Sequence, residues 1–220
     1  MRTRIDKQLI LDAVSRTTAA FTAAVTDIIT DTAHGLVNGD RVELTTTDTL
    51  PAGLALNTIY YVMKIDADTF KLSADKSVDG KGTPVDITDT GTGTHTWTIT
   101  DVGEPILVID ARHKQIVVST DGMGAGDTTT VKIQGSGEQT APDFHKAKST
   151  SNEWDYAQDI TLEDGSTVDG DTGISIADAD DVIKFAVNDD GISWINAQIT
   201  TQSDVGNTSV TVAINLTNDC

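Results

Sequence analysis

Cysteine is nearly absent from this chain: among 220 residues the single thiol belongs to Cys220, the last one. An intrachain disulfide and a cysteine-based zinc site are therefore excluded. Glutamate is scarce too, 5 residues against 29 aspartates, which removes a common builder of helix interiors. Lys and Arg total 15 against 34 acids, a formal charge of −19. A surface so negative repels phosphate backbones, so no nucleic-acid partner is expected. No apolar run approaches the roughly 20 residues that cross a bilayer as a helix, so no membrane partner is expected either. The opening Met1-Arg2-Thr3-Arg4-Ile5-Asp6-Lys7 lacks the apolar segment of a secretory signal, and synthesis in a cytoplasm is the expectation. Aromatic residues make up only 5% of the chain. The three tryptophans, Trp97, Trp154 and Trp194, are thus its large anchors for a core or an interface, with stacking on a sugar as the alternative use.

Threonine is abundant, with 35 residues, and stands beside 18 glycines. Thr with Val and Ile favours strands, while Asp and Gly favour turns, so the composition points to an all-β protein. Short apolar or alternating runs occur at Arg41–Leu44, Ile59–Met63, Thr69–Leu72, His95–Ile99, Ile106–Ile109, Gln115–Val118, Thr129–Ile133, Val182–Val187, Trp194–Ile199 and Ser209–Ile214. All have strand length, and turn signals such as Asn38-Gly39-Asp40, Asp66-Ala67-Asp68 and Asp121-Gly122 separate them. The stretch from Asp6 to Val25 can be drawn as a helix. Strand is the better choice, because Leu9-Ile10-Leu11 is followed by Ser15-Arg16-Thr17-Thr18, poor helix material.

Ala33-His34-Gly35-Leu36-Val37-Asn38-Gly39-Asp40-Arg41-Val42 is followed by Leu50-Pro51-Ala52-Gly53-Leu54, Ile59-Tyr60-Tyr61-Val62, Asp68-Thr69-Phe70-Lys71-Leu72 and Thr90-Gly91-Thr92-Gly93-Thr94-His95-Thr96. In that order and spacing these resemble a small β-barrel module recurring in tailed-phage structural proteins. The module is itself similar to the first catalytic cysteine half-domain of ubiquitin-activating enzymes, though nothing here implies ubiquitin chemistry. Lys132–Ser136, Ala141–Phe144, Ser151–Tyr156, Asp164–Gly173 and Val187–Ile195 resemble small β-sandwich proteins of phage structural gene clusters. In those relatives a phrase like Leu9–Val14 stands close before one like Ile106–Asp110. Their separation here implies a β-sandwich made of residues 1–16 plus 102–220, with an inserted small β-barrel at 17–101.

Catalytic patterns are missing. His34, His95, His113 and His145 share no metal-ligand spacing, and neither His-Glu-x-x-His nor Gly-x-Ser-x-Gly occurs. Gly122-Met123-Gly124-Ala125-Gly126 has glycines in the manner of a phosphate loop but no Gly-Lys-Ser/Thr ending, and Asp121 and Asp127 flank it, so it reads as a hairpin tip. Calcium is the one candidate cofactor. Asp164, Asp169 and Asp171 sit in a Gly-rich loop, with Asp178, Asp180 and Asp181 soon after, and Ca²⁺ takes several hard oxygens. The spacing is not an EF-hand, and the same aspartates equally suit Asx-turns.

Basic residues gather in two places: Arg2, Arg4 and Lys7 near the start, and Lys146 and Lys148 beside His145. On so acidic a chain they are candidates for docking an acidic partner, the first group as an arm that orders on contact or as a solvated tail. The resemblance implies a virion structural protein without enzymatic activity. Its most specific form is a capsid decoration or cement protein that binds the major capsid protein and other copies of itself on the capsid surface. Two alternatives stay open: a tail, baseplate or fibre module that adheres to a host surface glycan, and a Ca²⁺-dependent carbohydrate-binding module.

Overall fold

The computed structural model describes residues 4–14, 17–76, 80–108, 113–146, 148–157, 160–187, 191–204 and 207–218. Arg2, Asp110, residues 188–190 and Cys220 lie outside them. The described residues form seventeen β-strands and no helix, as the composition implies. They divide into two compact units, one of Met1–Ser15 with Asp101–Cys220 and one of Arg16–Thr100.

In the first unit two antiparallel sheets share one apolar core. A six-stranded sheet runs β1 (Arg4–Val14), β17 (Ser209–Asn218), β9 (His113–Asp121), β15 (Val182–Val187), β12 (Ile160–Leu162), β13 (Thr167–Val168). A five-stranded sheet runs β11 (Asp155–Tyr156), β10 (Thr128–Ser136), β16 (Trp194–Gln202), β8 (Ile106–Leu107), and β14 (Ile174–Ala177) adds to β10. Side chains alternate across a strand, so β9 and β17 send Ile116, Val118, Val210, Val212 and Ile214 inward. From the other sheet Val131, Ile133, Ile195, Ala197 and Ile199 meet them. Register supports this, with Val212 opposite Val118 and Ile214 opposite Ile116.

One departure from strict alternation lies in β1, where Ile10 and Leu11 are neighbours and both are buried. The register against β17 shifts between Leu9 and Leu11, a bulge that turns two consecutive side chains to one face. Leu9, just before it, stays exposed. The strand choice for this stretch therefore holds, and the apolar spacing that resembles a helix face comes from the bulge.

The second unit is a closed barrel of order β2 (Thr18–Ala23), β3 (Ile29–Thr30), β6 (Thr69–Ser73), β5 (Tyr60–Lys64), β4 (Arg41–Thr46), β7 (His95–Ile99), with β7 closing on β2. Phe21, Ile29, Val42, Leu44, Tyr60, Val62, Phe70, Leu72 and Trp97 fill it. Trp97 is 1% exposed, and its indole nitrogen donates to Asp31 at 3.0 Å, so burial leaves no polar atom stranded. The Tyr60 hydroxyl likewise accepts the Ala55 N–H at 2.9 Å, while Tyr61 faces the other side. His34 is held by the Leu36 N–H donating to its Nδ1 at 3.0 Å, with its ring edge-on to Phe70.

Gly53 shows why the Pro51-Ala52-Gly53 turn needs glycine. Its φ is 102°, and a Cβ there would overlap the Asp86 carbonyl oxygen. Gly53→Ala meets both penalties, so a loss of about 2 kcal/mol or more is expected. Urea denaturation read at Trp97 fluorescence checks it; an unchanged midpoint would contradict the geometry.

Candidate functional site

The outer face of the five-stranded sheet carries polar residues at the positions that alternate with its core side chains. Lys132, Gln134 and Ser136 of β10 stand opposite Gln198, Asn196 and Trp194 of β16, and Tyr156 of β11 lies beside Gln134. Gln134 and Asn196 are fully buried, because residues 143–146 and 152–154 cover them. The Asn196 amide donates to Gln134 at 3.3 Å, the Gln134 amide donates to the Phe144 carbonyl at 3.4 Å, and Ser136 donates to the Glu153 carbonyl. Asn196 Oδ1 and Trp194 Nε1 are buried there without a hydrogen-bond partner.

The covering residues are tied together internally. Asn152 accepts the Asp143 N–H at 2.8 Å and donates to the Asp143 carbonyl at 2.9 Å, and the Trp154 indole N–H donates to the Lys146 carbonyl at 3.0 Å. Phe144 is buried and packs on Trp154 with ring centroids 6.0 Å apart. Trp154 meets Tyr156 edge-on at 5.5 Å and 84°, and Lys132 Nζ stands 4.8 Å from the Tyr156 ring centroid. Trp154 and Tyr156 are both half-buried.

The basic candidates fare differently from one another. Lys146 pairs with Asp143 at 2.8 Å and Lys148 with Asp155 at 2.8 Å, so neither is a free cation for a partner. The sequence places these residues close together, but the fold supplies each with its own carboxylate. From Arg4 onward the start of the chain is no loose arm: Arg4 and Lys7 belong to β1, the edge strand of the six-stranded sheet, with Lys7 exposed opposite Asn215. Backbone pairing with β17 gives that segment its order.

The aspartates are mostly engaged with backbone. Asp164 accepts the N–H and hydroxyl of Ser166 at 2.8 and 2.6 Å, and Asp169 accepts the Asp171 N–H at 2.9 Å. Asp180 accepts the Met123 N–H, Asp178 the Gly126 N–H, Asp127 the Gly124 N–H and Asp181 the Val182 N–H. Amides of the glycine-rich 122–126 turn that would face a phosphate thus face carboxylates. Among the described residues no group of three or more His, Cys, Asp or Glu is gathered as a metal ion needs, so Asp164, Asp169 and Asp171 do not form one site. Asp164 and Asp169 make Asx-turns, whereas Asp171 supplies only its backbone N–H to one.

Nothing in the sequence announced the Gln134–Asn196 pair or the Trp154–Tyr156 corner as such. The usable signal was the alternation of Lys132, Gln134 and Ser136 with Val131 and Ile133, which marks a polar outer face. It does not reveal that the face is covered.

No family model matches the chain, and no curated protein matches it. Among solved structures, the crystal structure of the PBSX exported protein XepA is similar over 99% of this chain and 82% of its own, at 11% identity and a TM-score of 0.31.

Hydrogen bonds to the charged form hold several carboxyls below the ordinary 3.8. Asp66 is lowered chiefly by the Asp68 N–H, Asp89 by the Ala52 N–H, Asp155 by Lys148 and Asp164 by Ser166. Each contributes stability that is present above the unfolded value and lost as pH falls through the folded one. Asp40, raised chiefly by burial, runs the other way and is outnumbered. Thermal melts should therefore change little between about pH 7 and 5 and fall below about pH 4; a rise there would contradict the assignment. Adding a chelator to the protein should leave the melting temperature where it was, because a bound ion would stabilise the folded state.

Proposed function

We propose that this chain is a structural protein of a tailed-phage virion, most specifically a capsid decoration or cement protein. Its partners in this reading are the major capsid protein and other copies of itself. One observation carries it. The five phrases that resemble the phage barrel module all fall within one closed barrel, and they supply Leu36, Val42, Tyr60, Val62, Phe70 and Leu72 of its core. That barrel interrupts a sandwich whose first and last strands pair, an arrangement suited to a host fold with an added module.

Function then resides in surfaces, with no chemistry asked of any residue. The formal charge of −19 keeps copies apart in solution and favours a partner with a basic docking face. Edge strand β1, which carries the exposed Lys7 and Leu9, is the face we assign to capsid contact. Such a protein is made in the host cytoplasm and ends on the capsid surface.

A second reading, a tail or baseplate adhesion module, is favoured by the half-buried Trp154 and Tyr156 beside Asn152 and Asp155. Copy number separates the two. Quantitative mass spectrometry of purified particles against the major capsid protein should give roughly hundreds of copies per particle for decoration. About six or twelve copies would place the chain on the tail, and absence from particles would overturn the virion reading.

A further inference from the structure

Beside the covered face of the five-stranded sheet, several polar groups have no hydrogen-bond partner among the described residues. Phe144 and the indole N–H of Trp154 already tie residues 144–146 to residue 154. The Tyr156 hydroxyl makes no hydrogen bond among the described residues, and its ring is half-buried. Lys132 Nζ, apart from standing over that ring, has no partner there, and the Asp171 carboxylate accepts no hydrogen bond. These groups nonetheless converge. Lys132 of β10 stands over the ring of Tyr156 of β11, and Gly170, which precedes Asp171 in the loop after β13, packs on the backbone of Ala157, which follows Tyr156; burial followed by the Asp171 charge raises the Tyr156 pKa.

We propose that Trp154, Tyr156, Lys132 and Asp171 form a binding subsite for a neutral pyranose of a glycan. Two rings at 84° make a corner, which offers one apolar wall to the C–H face of a sugar and a second wall to its edge. At its rim stand a carboxylate acceptor, an ammonium donor and a phenol that does both, the few convergent polar groups that orient a small ligand in an aromatic site. Local charge selects the sugar. Lys148 is paired with Asp155 and the Asp171 charge acts on both Lys148 and Tyr156, so an anionic glycan would meet no surplus of cations on a chain of −19.

The corner is also fixed before any ligand arrives. The indole bond to Lys146 holds Trp154, and Gly170 lies so close to Ala157 that a Cβ would overlap its carbonyl oxygen, which anchors the Asp171 loop against the strand end. Little ordering entropy then opposes binding. The inference rests on the same Trp154–Tyr156 corner as the adhesion reading, but particle counts and sugar binding can fail separately.

The test is a nitrogen–proton NMR titration of the full chain with the methyl pyranosides of glucose, galactose, mannose and N-acetylglucosamine. The Trp154 indole resonance, assigned through Trp154→Phe, should shift saturably with at least one of them. A dissociation constant of about 1–10 mM is expected, and the Trp97 indole should stay still. Tyr156→Ala and Asp171→Asn should each weaken binding about tenfold, and Asp171→Asn, whose carboxylate holds no hydrogen bond among the described residues, should do so without moving the melting temperature. Absence of a saturable shift with all four sugars up to about 100 mM would overturn the proposal, as would variants that bind like the parent. If the Trp154 resonance moves with protein concentration and not with sugar, the face is a protein interface and the proposal fails.

Discussion

Strand β17 lies between β1 and β9 and hydrogen-bonds to both, so one ten-residue strand at the end of the chain ties its beginning to its middle. The residues paired across β1 and β17 are separated by almost the whole sequence, and closing that loop costs chain entropy before any contact repays it. Val210, Val212 and Ile214 supply the return by packing beside Ile10, Leu11, Ile116 and Val118 on the buried face of the six-stranded sheet. Because the ends of the sandwich are joined in this way, Arg16–Thr100 can form a self-contained barrel without supplying the sandwich core.

An acidic chain must put its carboxylates somewhere, and this one spends many of them on its own backbone. Asp66, Asp89, Asp164 and Asp169 accept amide protons two or three residues onward, while Asp178 and Asp180 reach across to the 122–126 turn. A carboxylate is short, tolerates turn geometry and takes a charge-assisted bond from an N–H that the bend would otherwise leave unpaired. High aspartate and low glutamate content suit the turns between the strands of the described residues, where a longer side chain places its carboxylate less well.

Most of the longer strands were legible in advance, though β14, with its buried Ile174 and Ile176, was not. Val131, Ile133, Ile195, Ala197, Ile199, Val210 and Val212 read as one buried row each from the sequence and are so in the structure. The two-residue strands β3, β11 and β13 were not legible, since a period cannot show in a single repeat. Strand β2 escaped for another reason: Thr18-Ala19-Ala20-Phe21 has small, weakly patterned residues, and the barrel closes through it because β7 needs a neighbour. The basic cluster at Lys146 and Lys148 was visible, but its neutralisation by Asp143 and Asp155 was not, Asp155 being brought in by the return of the covering segment.

By itself the sequence determined what each strand must have: an apolar side, a polar side, and turns where Asp and Gly cluster. Those follow from local chemistry, which acts within a few residues. Tertiary structure decided which polar side would remain in water. Gln134 and Asn196 are as polar as any surface residue, yet both are buried, with the Gln134 amide bonded to the Phe144 carbonyl and to Asn196. The bulge that turns Ile10 and Leu11 to the same core, and the corner where Trp154 meets Tyr156, likewise arise only when distant segments meet. A strand pattern carries the difference between two faces, and only the packing of remote parts assigns one face to the core and the other to a lid, a partner or solvent.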